Sequence, residues 1–325
     1  MVTLALVGAG QWGKNFITTI DTIPNSRLKY VCAESSGTLN ALSNKYIKTK
    51  YYKDLYKYSD IDGIIIATPG STHFEIACDF LKRGYNLLIE KPLTTDYQQA
   101  LQLKEIYKLK KPQVLIGHIY LYDPAFIAMK KLVSEIGEIQ YMTFEGLKSP
   151  IRSDISILWE WGPHGISVCL DILGQKPIRV SAWVVNKLRS QTELYDVVHI
   201  RLEFSNKVFA FIKGSWLSPF KKREIIIVGS KSTIVLDDLA SHKVTCFKNM
   251  GPFMGKGRFI KSEPEVIYAA FSKDMPLKLE VLEFIKSINK GINPITDLDQ
   301  ALLVTQIIHL AEESILKGGC PVKIK

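Results

Sequence analysis

Residues 3–13 read TLALVGAGQWG. Positions 3–7 form a short apolar, β-rich run that leads straight into Gly8, Gly10 and Gly13, in the spacing G-x-G-x-x-G, ahead of a helical segment. Strand, glycine-rich turn and helix in that order have a mechanical reading. The first glycine permits a tight turn, the second lets backbone approach a pyrophosphate, and the third lets helix and strand pack closely while helix N–H groups face the anion. Gln11 and Trp12 lie inside the turn and are expected to touch the same ligand. Glu34, which ends the next β-rich run about 20 residues on, is placed to bind a ribose 2′-hydroxyl. The stretch predicts a dinucleotide site. A carboxylate at position 34 repels a 2′-phosphate and no arginine follows it closely, which favours NAD over NADP. The alternative leaves Glu34 as a solvated loop acid and gives the phosphate to Ser35, Ser36 and Lys45.

Outward from this turn, β-rich runs at 28–33, 63–67, 86–89 and 113–116 alternate with helix-length segments, two of which close at Gly84 and before Pro112. Such alternation means a parallel, doubly wound sheet. Near residue 120 the pattern changes. A helix over 124–136, a strand over 139–147 and a helix over 162–173 precede a series of strands at 178–185, 195–204, 208–216, 224–228, 233–237 and 243–247. Their partial alternation predicts a mostly antiparallel open sheet with one face covered. Residues 249–274 read as a long loop, and helices over 276–290 and 297–317 close the chain. The expected organisation is α/β: a doubly wound Rossmann domain over 1–120 that binds NAD, then an α+β domain over 121–325 for substrate binding and oligomerisation.

A length of 325 residues fits two domains, and 46% hydrophobic with 23% charged residues is ordinary globular composition. The longest apolar candidate, around residues 61–67, is interrupted or bounded by Asp60, Asp62 and Pro69, so no membrane span is expected. The N-terminus lacks secretory features and reads as structure. Five widely spaced cysteines, none in a C-x-x-C pair, argue against a disulfide framework or a zinc site and fit a reducing cytoplasm; no metal is expected. With 42 basic and 32 acidic residues the net charge is +10, which favours an anionic small molecule, a nucleic acid or solubility. Lysines at 45, 48, 50, 53 and 57 interleave with tyrosines at 46, 51, 52, 56 and 58. Such interleaving suits nucleic acid, but inside a βα pattern the lysines belong on the solvated face with the tyrosines packed beneath, and no nucleic-acid partner is expected.

Strand C-termini in doubly wound sheets face the ligand crevice. Ala67-Thr68-Pro69 ends one such run, with His73 in the following helix turn, and Glu90-Lys91-Pro92 ends the next. Thr68, Pro69, His73, Glu90 and Lys91 are therefore expected beside the cofactor. A lysine at a crevice is a candidate acid-base, and the proline restricts its backbone.

The glycine fingerprint through Glu34, the Ala67-Thr68-Pro69 segment with His73, and Glu90-Lys91-Pro92-Leu93 together resemble the glucose-fructose oxidoreductase, inositol dehydrogenase and rhizopine-catabolism (Gfo/Idh/MocA) family. Gly117-His118 with Pro124 resembles the family's crossover into its substrate domain, and Trp159-Glu160-Trp161-Gly162-Pro163-His164 resembles its acid-x-Gly-x-His motif. The resemblance covers essentially the whole chain. It implies hydride transfer between nicotinamide and a secondary hydroxyl carbon of a sugar, cyclic polyol or nucleotide sugar. It further implies that Lys91 and His164 share proton transfer in a common pocket, with Glu160 beside them and His118, Tyr120 and Trp161 near the substrate. Three positions depart from the family: Glu160 replaces the commoner Asp, Ser167 stands where several members carry an acid, and Leu121 stands where many carry arginine. Trp159 and Tyr122 are further aromatic candidates, and Lys148 and Arg152 candidate phosphate contacts.

Two other readings keep the same fold: NAD-dependent glycoside elimination or imine reduction, and a non-catalytic NAD-sensing protein. The antiparallel sheet needs cover on one face, which predicts a homodimer or homotetramer.

Overall fold

The computed structural model describes residues 1–147, 151, 154–188, 194–248, 253–254, 258–259 and 264–325. The elements in chain order are β1 (Val2–Val7), α1 (Gly13–Ile20), β2 (Ser26–Cys32), α2 (Ser36–Asn40), β3 (Ile47–Thr49), β4 (Gly63–Ile66), α3 (His73–Arg83), β5 (Asn86–Glu90), α4 (Tyr97–Lys110) and β6 (Val114–Gly117). Then come α5 (Pro124–Leu132), β7 (Ile139–Leu147), α6 (Ile157–Leu173), β8 (Arg179–Val185), β9 (Val197–Glu203), β10 (Phe209–Ser215), β11 (Lys222–Gly229), β12 (Ser232–Asp237) and β13 (Val244–Lys248). The chain ends with β14 (Phe253–Met254), β15 (Arg258–Phe259), β16 (Glu265–Tyr268), α7 (Pro276–Lys290), α8 (Leu298–Leu316) and β17 (Val322–Lys323). Two compact units result: Met1–Tyr122 with Asp274–Gln306, and Asp123–Lys273 with Ile307–Lys325.

The first unit is built on a six-stranded parallel sheet in the order β3-β2-β1-β4-β5-β6. Every residue of β1 and of β4 is buried, because a parallel sheet with helices on both faces has no solvent side and its strands are continuously apolar. Successive side chains still alternate between two cores. Ala5, Val7, Ile64, Ile66, Leu87 and Ile89 face Phe80 and Leu81 of α3 and Leu103 of α4, joined by Leu298 and Ala301 of α8. Leu4, Leu6, Ile65, Leu88 and Leu115 face Phe16 and Ile20 of α1 and Leu277, Val281, Phe284 and Ile285 of α7. Of the residues up to 122, only α1 among the longer helices lies on that second face, and α7 returns to complete its cover. The expected second domain over 121–325 includes residues 274–306, which belong to the first compact unit.

The second unit carries a nine-stranded sheet in the order β16-β13-β12-β11-β7-β10-β9-β8-β17. All its pairings are antiparallel except β7 with β10. Its inner face, with Phe144, Ile212, Ile200 and Ile225 buried, is covered by α6 and α5. Helix and sheet approach closely because the contact is built on glycine. Gly146 and Gly214, directly paired across β7 and β10, lie under the Trp161 side chain, and Gly165 of α6 lies over Ile212.

Several expectations shift. The helix expected at 162–173 starts at Ile157: Ser156 caps it, with Oγ accepting from Leu158 N at 3.3 Å. Pro163 thus lies inside the helix, where its missing N–H leaves an earlier carbonyl without its helical donor. The segment 249–274, expected as loop, contributes β16, which pairs with β13. The three-residue strand β3 has no counterpart in the sequence reading; three residues are too few to show a period. In the lysine-tyrosine stretch, Tyr52 and Tyr56 rest on Phe80 with centroids at 5.7 and 5.6 Å and both hydroxyls donate to Asp79. Among the described residues no helix is long and apolar enough to cross a membrane.

The glycine contacts generate a stability test. A Cβ at Gly146 would lie 2.2 Å from Trp161 Cδ2, so Gly146→Ala is expected to destabilise by about 1–3 kcal/mol in chemical denaturation. At Gly162 the nearest atom would be 3.6 Å away, so Gly162→Ala should be neutral or stabilising by up to about 1 kcal/mol.

Candidate active site

The sheet order of the first unit reverses between β1 and β4, and the crevice beyond their C-terminal ends is where this fold binds ligands. Gly8 follows β1 with φ +99°, and a Cβ there would lie 2.6 Å from the carbonyl of Ala67. Only glycine fits. A Cβ on Gly13 would lie 1.9 Å from Gly8 O, so α1 can begin here only against a bare turn. Gly10 meets nothing within 4 Å, which leaves its backbone open to a ligand. Gln11, Trp12 and Glu34 are exposed around this opening and at the end of the adjacent strand. The turn therefore fits a dinucleotide: two glycines are sterically required, the third borders free space, and a carboxylate stands at ribose distance along the chain.

Charge is organised one strand further on. Glu90 closes β5 and is buried; Trp12 Nε1 donates to its Oε1, and the Lys91 peptide N–H donates to its Oε2 at 3.2 Å. Gly117, paired with Glu90 across β5 and β6, makes room, since a Cβ there would lie 3.0 Å from Oε2. The glycine turn and the lysine segment are thus joined by one carboxylate. His73, expected beside the cofactor, is completely buried in the first turn of α3. Its Nδ1 meets Pro92 O at 2.7 Å and its Nε2 meets Thr68 O at 2.9 Å, so the ring ties the two crevice segments together. Burial pushes its pKa below the ordinary value, the two carbonyls oppose that, and the Lys91 charge adds to the lowering.

His118, expected near substrate, is buried too, and its Nδ1 is 2.7 Å from Gln300 Oε1. Because that oxygen only accepts, Nδ1 carries the proton and Nε2 keeps the lone pair. Tyr120 is half-buried in the 3-10 turn Ile119–Tyr122, whereas Tyr122 and Leu121 are core. The Tyr122 hydroxyl lies 2.8 Å from Thr296 Oγ1.

In the second unit, α6 carries Glu160 and His164 one helical turn apart, hence on one face. Glu160 is half-buried, and Trp161 and His164 are buried with ring centroids 5.7 Å apart. Trp159 is a structural residue: its Nε1 donates to Glu312 Oε1 at 2.8 Å. Ser167, in place of an acid, donates its hydroxyl to His164 O at 3.0 Å. Lys148 and Arg152 lie outside the described residues. Lys91 belongs to the first unit and His164 to the second.

Two further polar groups escaped the sequence reading. Gln300 of α8 orients His118, and nothing local marks it. Glu280 of α7 is wholly buried, and its signal is visible afterwards: it occupies the apolar stripe formed by Leu277, Val281, Phe284 and Ile285. Among the described residues no group of three or more His, Cys, Asp or Glu side chains is arranged to hold a metal ion.

Comparison with known proteins gives concordant matches. A family model described as oxidoreductase family, NAD-binding Rossmann fold (GFO/IDH/MocA) matches residues 2–118, and the GFO/IDH/MocA C-terminal domain model matches residues 128–235. The chain is 24% identical over 345 residues to scyllo-inositol 2-dehydrogenase (NAD(+)) of Bacillus subtilis (strain 168), spanning 99% of this chain and 96% of that protein. Among solved structures it resembles GenD2 from gentamicin A biosynthesis in complex with NAD, with a TM-score of 0.85, 19% identity and coverage of 100% and 96% of the two chains. It also resembles UDP-N-acetylglucosamine 3-dehydrogenase from Acidithiobacillus ferrooxidans, with a TM-score of 0.83, 21% identity and coverage of 96% and 97%.

The buried histidine sets a pH test. Burial pushes the His118 pKa down to about 4, with the Gln300 bond opposing and the Lys91 charge assisting. The unfolded chain takes up this proton near pH 6.5, but the folded protein does not until about pH 4. Stability is therefore full above pH 6.5 and falls as the pH drops, by about 3 kcal/mol for this group. Chemical denaturation between pH 7 and pH 4 should show a shallower fall for His118→Gln than for the unaltered chain.

Proposed function

Since the chain belongs to the GFO/IDH/MocA family of oxidoreductases, we propose that it is an NAD-dependent dehydrogenase that exchanges hydride with a secondary hydroxyl or ketone carbon of a sugar, cyclic polyol or nucleotide sugar. The observation that carries this reading is the β1–α1 turn, where Gly8 and Gly13 are sterically required and Gly10 opens to free space, tied through Trp12 and Glu90 to the Lys91 peptide. The turn residues Gly8, Gly10, Gln11, Trp12 and Gly13 hold the pyrophosphate, and Glu34 takes the ribose hydroxyl. Thr68, Pro69, Glu90 and Lys91 would border the nicotinamide, with His73 holding Thr68 and Pro92 in place behind them. NAD, when bound, supplies the hydride acceptor.

The chain's own residues handle the proton. Oxidation of a secondary alcohol releases a hydride and the hydroxyl proton, and the latter needs a base within reach. Lys91 takes that proton at Nζ, His164 shares the transfer, and Glu160 holds a neighbouring hydroxyl. Tyr120, Trp161 and the unprotonated Nε2 of His118 shape the substrate side. A net charge of +10 favours an anionic substrate such as a nucleotide sugar over a neutral polyol. The chain also assembles with itself through the outer face of the nine-stranded sheet. Tyr141, Trp183 and Phe211 are exposed there, and a shallow basin of about 600 Å³ is lined by Trp183, His199, Arg201, Phe211 and Lys213.

Two measurements check these statements. NADH absorbance with a panel of inositols, sugars and nucleotide sugars should reveal turnover that Lys91→Met lowers by about 10²–10⁴-fold in kcat, with His164→Ala also impaired. Full activity in Lys91→Met would refute the mechanism. Light scattering after size exclusion should show a dimer or tetramer that Trp183→Glu with Phe211→Glu converts to monomer; an unaltered chain that runs as a monomer refutes the assembly.

A further inference from the structure

On the outer face of the nine-stranded sheet the register sets two cations side by side. His199 and Arg201 are two residues apart on β9, and Phe211 and Lys213 two apart on β10; all four project away from the buried Ile200 and Ile212. Lys213 pairs directly with His199, whose other cross-strand neighbour is Trp183 of β8. Arg201 pairs directly with Phe211 and has Ser181 on its other side. Arg201 and Lys213 are therefore diagonal neighbours, about 7–8 Å apart at the backbone, a span that two long side chains close. They line the basin of about 600 Å³ to which Trp183 and Phe211 contribute aromatic walls.

The charges on this face are unevenly matched. Lys222 of β11 is held by Glu145 and Glu224, at 2.8 and 2.6 Å, and Arg179 of β8 by Glu203 at 3.1 Å. Glu145 also pairs in register with Lys213 across β7 and β10, but its carboxylate is drawn to Lys222. Among the described residues Arg201 and Lys213, both half-buried, have no carboxylate partner. Arg201 Nη2 donates one long bond, 3.4 Å, to Ser181 Oγ, and the guanidinium carbon lies 5.7 Å from the Phe209 ring centre. Most of the N–H donors of this fork are left unspent beside an ammonium. An arginine fork takes two oxygens of a phosphate at once, and a neighbouring lysine adds a point charge.

The face on which self-association is proposed is the same one. Burying two cations that lack a counter-charge disfavours such a contact, and copies of a chain with net charge +10 repel each other. We propose that a phosphate-type oxyanion binds between Arg201 and Lys213, and that it tightens self-association through this face by supplying the missing negative charge. The oxygens come from free phosphate or from the phosphate of a nucleotide, whose base has the Trp183 indole to stack on. The assembly half of the proposal rests on the reading of this face as self-associating; the binding half does not.

The test uses the full chain with NAD at saturation, so that the dinucleotide turn takes no phosphate. Calorimetric titration with inorganic phosphate and with adenosine 5′-monophosphate should show binding that R201Q with K213Q weakens about tenfold or more, and that R201K with K213R largely keeps. Equal affinities mark free phosphate as the ligand, and a monophosphate bound about tenfold more tightly marks a nucleotide. In sedimentation at constant ionic strength, the apparent dissociation constant of the assembly should fall about tenfold or more when phosphate replaces chloride. In R201Q with K213Q that constant should already be low in chloride and indifferent to phosphate, a result that structural damage does not produce. Binding of neither probe, binding unchanged in R201Q with K213Q, or equal sensitivity of assembly to phosphate in both proteins overturns the proposal. A chain that binds phosphate through these two residues yet stays monomeric in every buffer upholds the binding half and overturns the assembly half together with the self-association reading. None of these measurements needs turnover, so they stand apart from the dehydrogenase reading.

Discussion

A six-stranded parallel sheet has no face it can leave to water. Its strands are apolar on both sides, as the uninterrupted burial of β1 and β4 shows, and each side must be covered by helix. One face obtains α3 and α4 from the alternating βα chain, while the other has α1 and depends on the distant α7. The return of residues 274–306 to the first unit follows from this need for cover. It also buries Glu280 in that core, so a requirement of packing takes an ionisable group out of water.

The crevice depends on the same economy of space. Gly8 passes under the Ala67 carbonyl and Gly13 under the Gly8 carbonyl, contacts that leave no room for a Cβ. With the turn held this tightly, Trp12 reaches Glu90, and His73 bridges Thr68 and Pro92. Residues that seem at first to be ligand contacts are therefore also the ties between adjacent strand ends. A substitution at His73 loosens two segments at once without touching a ligand.

In the second unit glycine serves a different purpose. Gly146 and Gly214 form a trough for the Trp161 side chain, which in turn supports the His164 ring one helical turn along α6. That α6 begins at Ile157, capped by Ser156, and carries Pro163 in its interior explains why the aromatic run from Trp159 to His164 is legible as a motif while the start of its helix is not. Proline is a strong local stop signal, and the cap that overrides it is a single serine.

What the sequence determined by itself is whatever local spacing encodes: the glycine fingerprint, the strand-helix alternation, the change of pattern near residue 120, and Glu34, Glu90, Lys91, Glu160 and His164 as the polar groups at element ends or helical spacing. Each depends on neighbours a few positions away, where backbone geometry is regular. Tertiary structure alone decided what depends on distant segments. It buried His73 and His118 against carbonyls and Gln300, turned Trp159 and Tyr122 into core contacts, and sent α7 back across the first sheet. Glu280 shows the division most clearly. Its place in an apolar stripe was written in the helix, but its burial required knowing that this stripe returns to complete the cover that α1 begins on the first sheet.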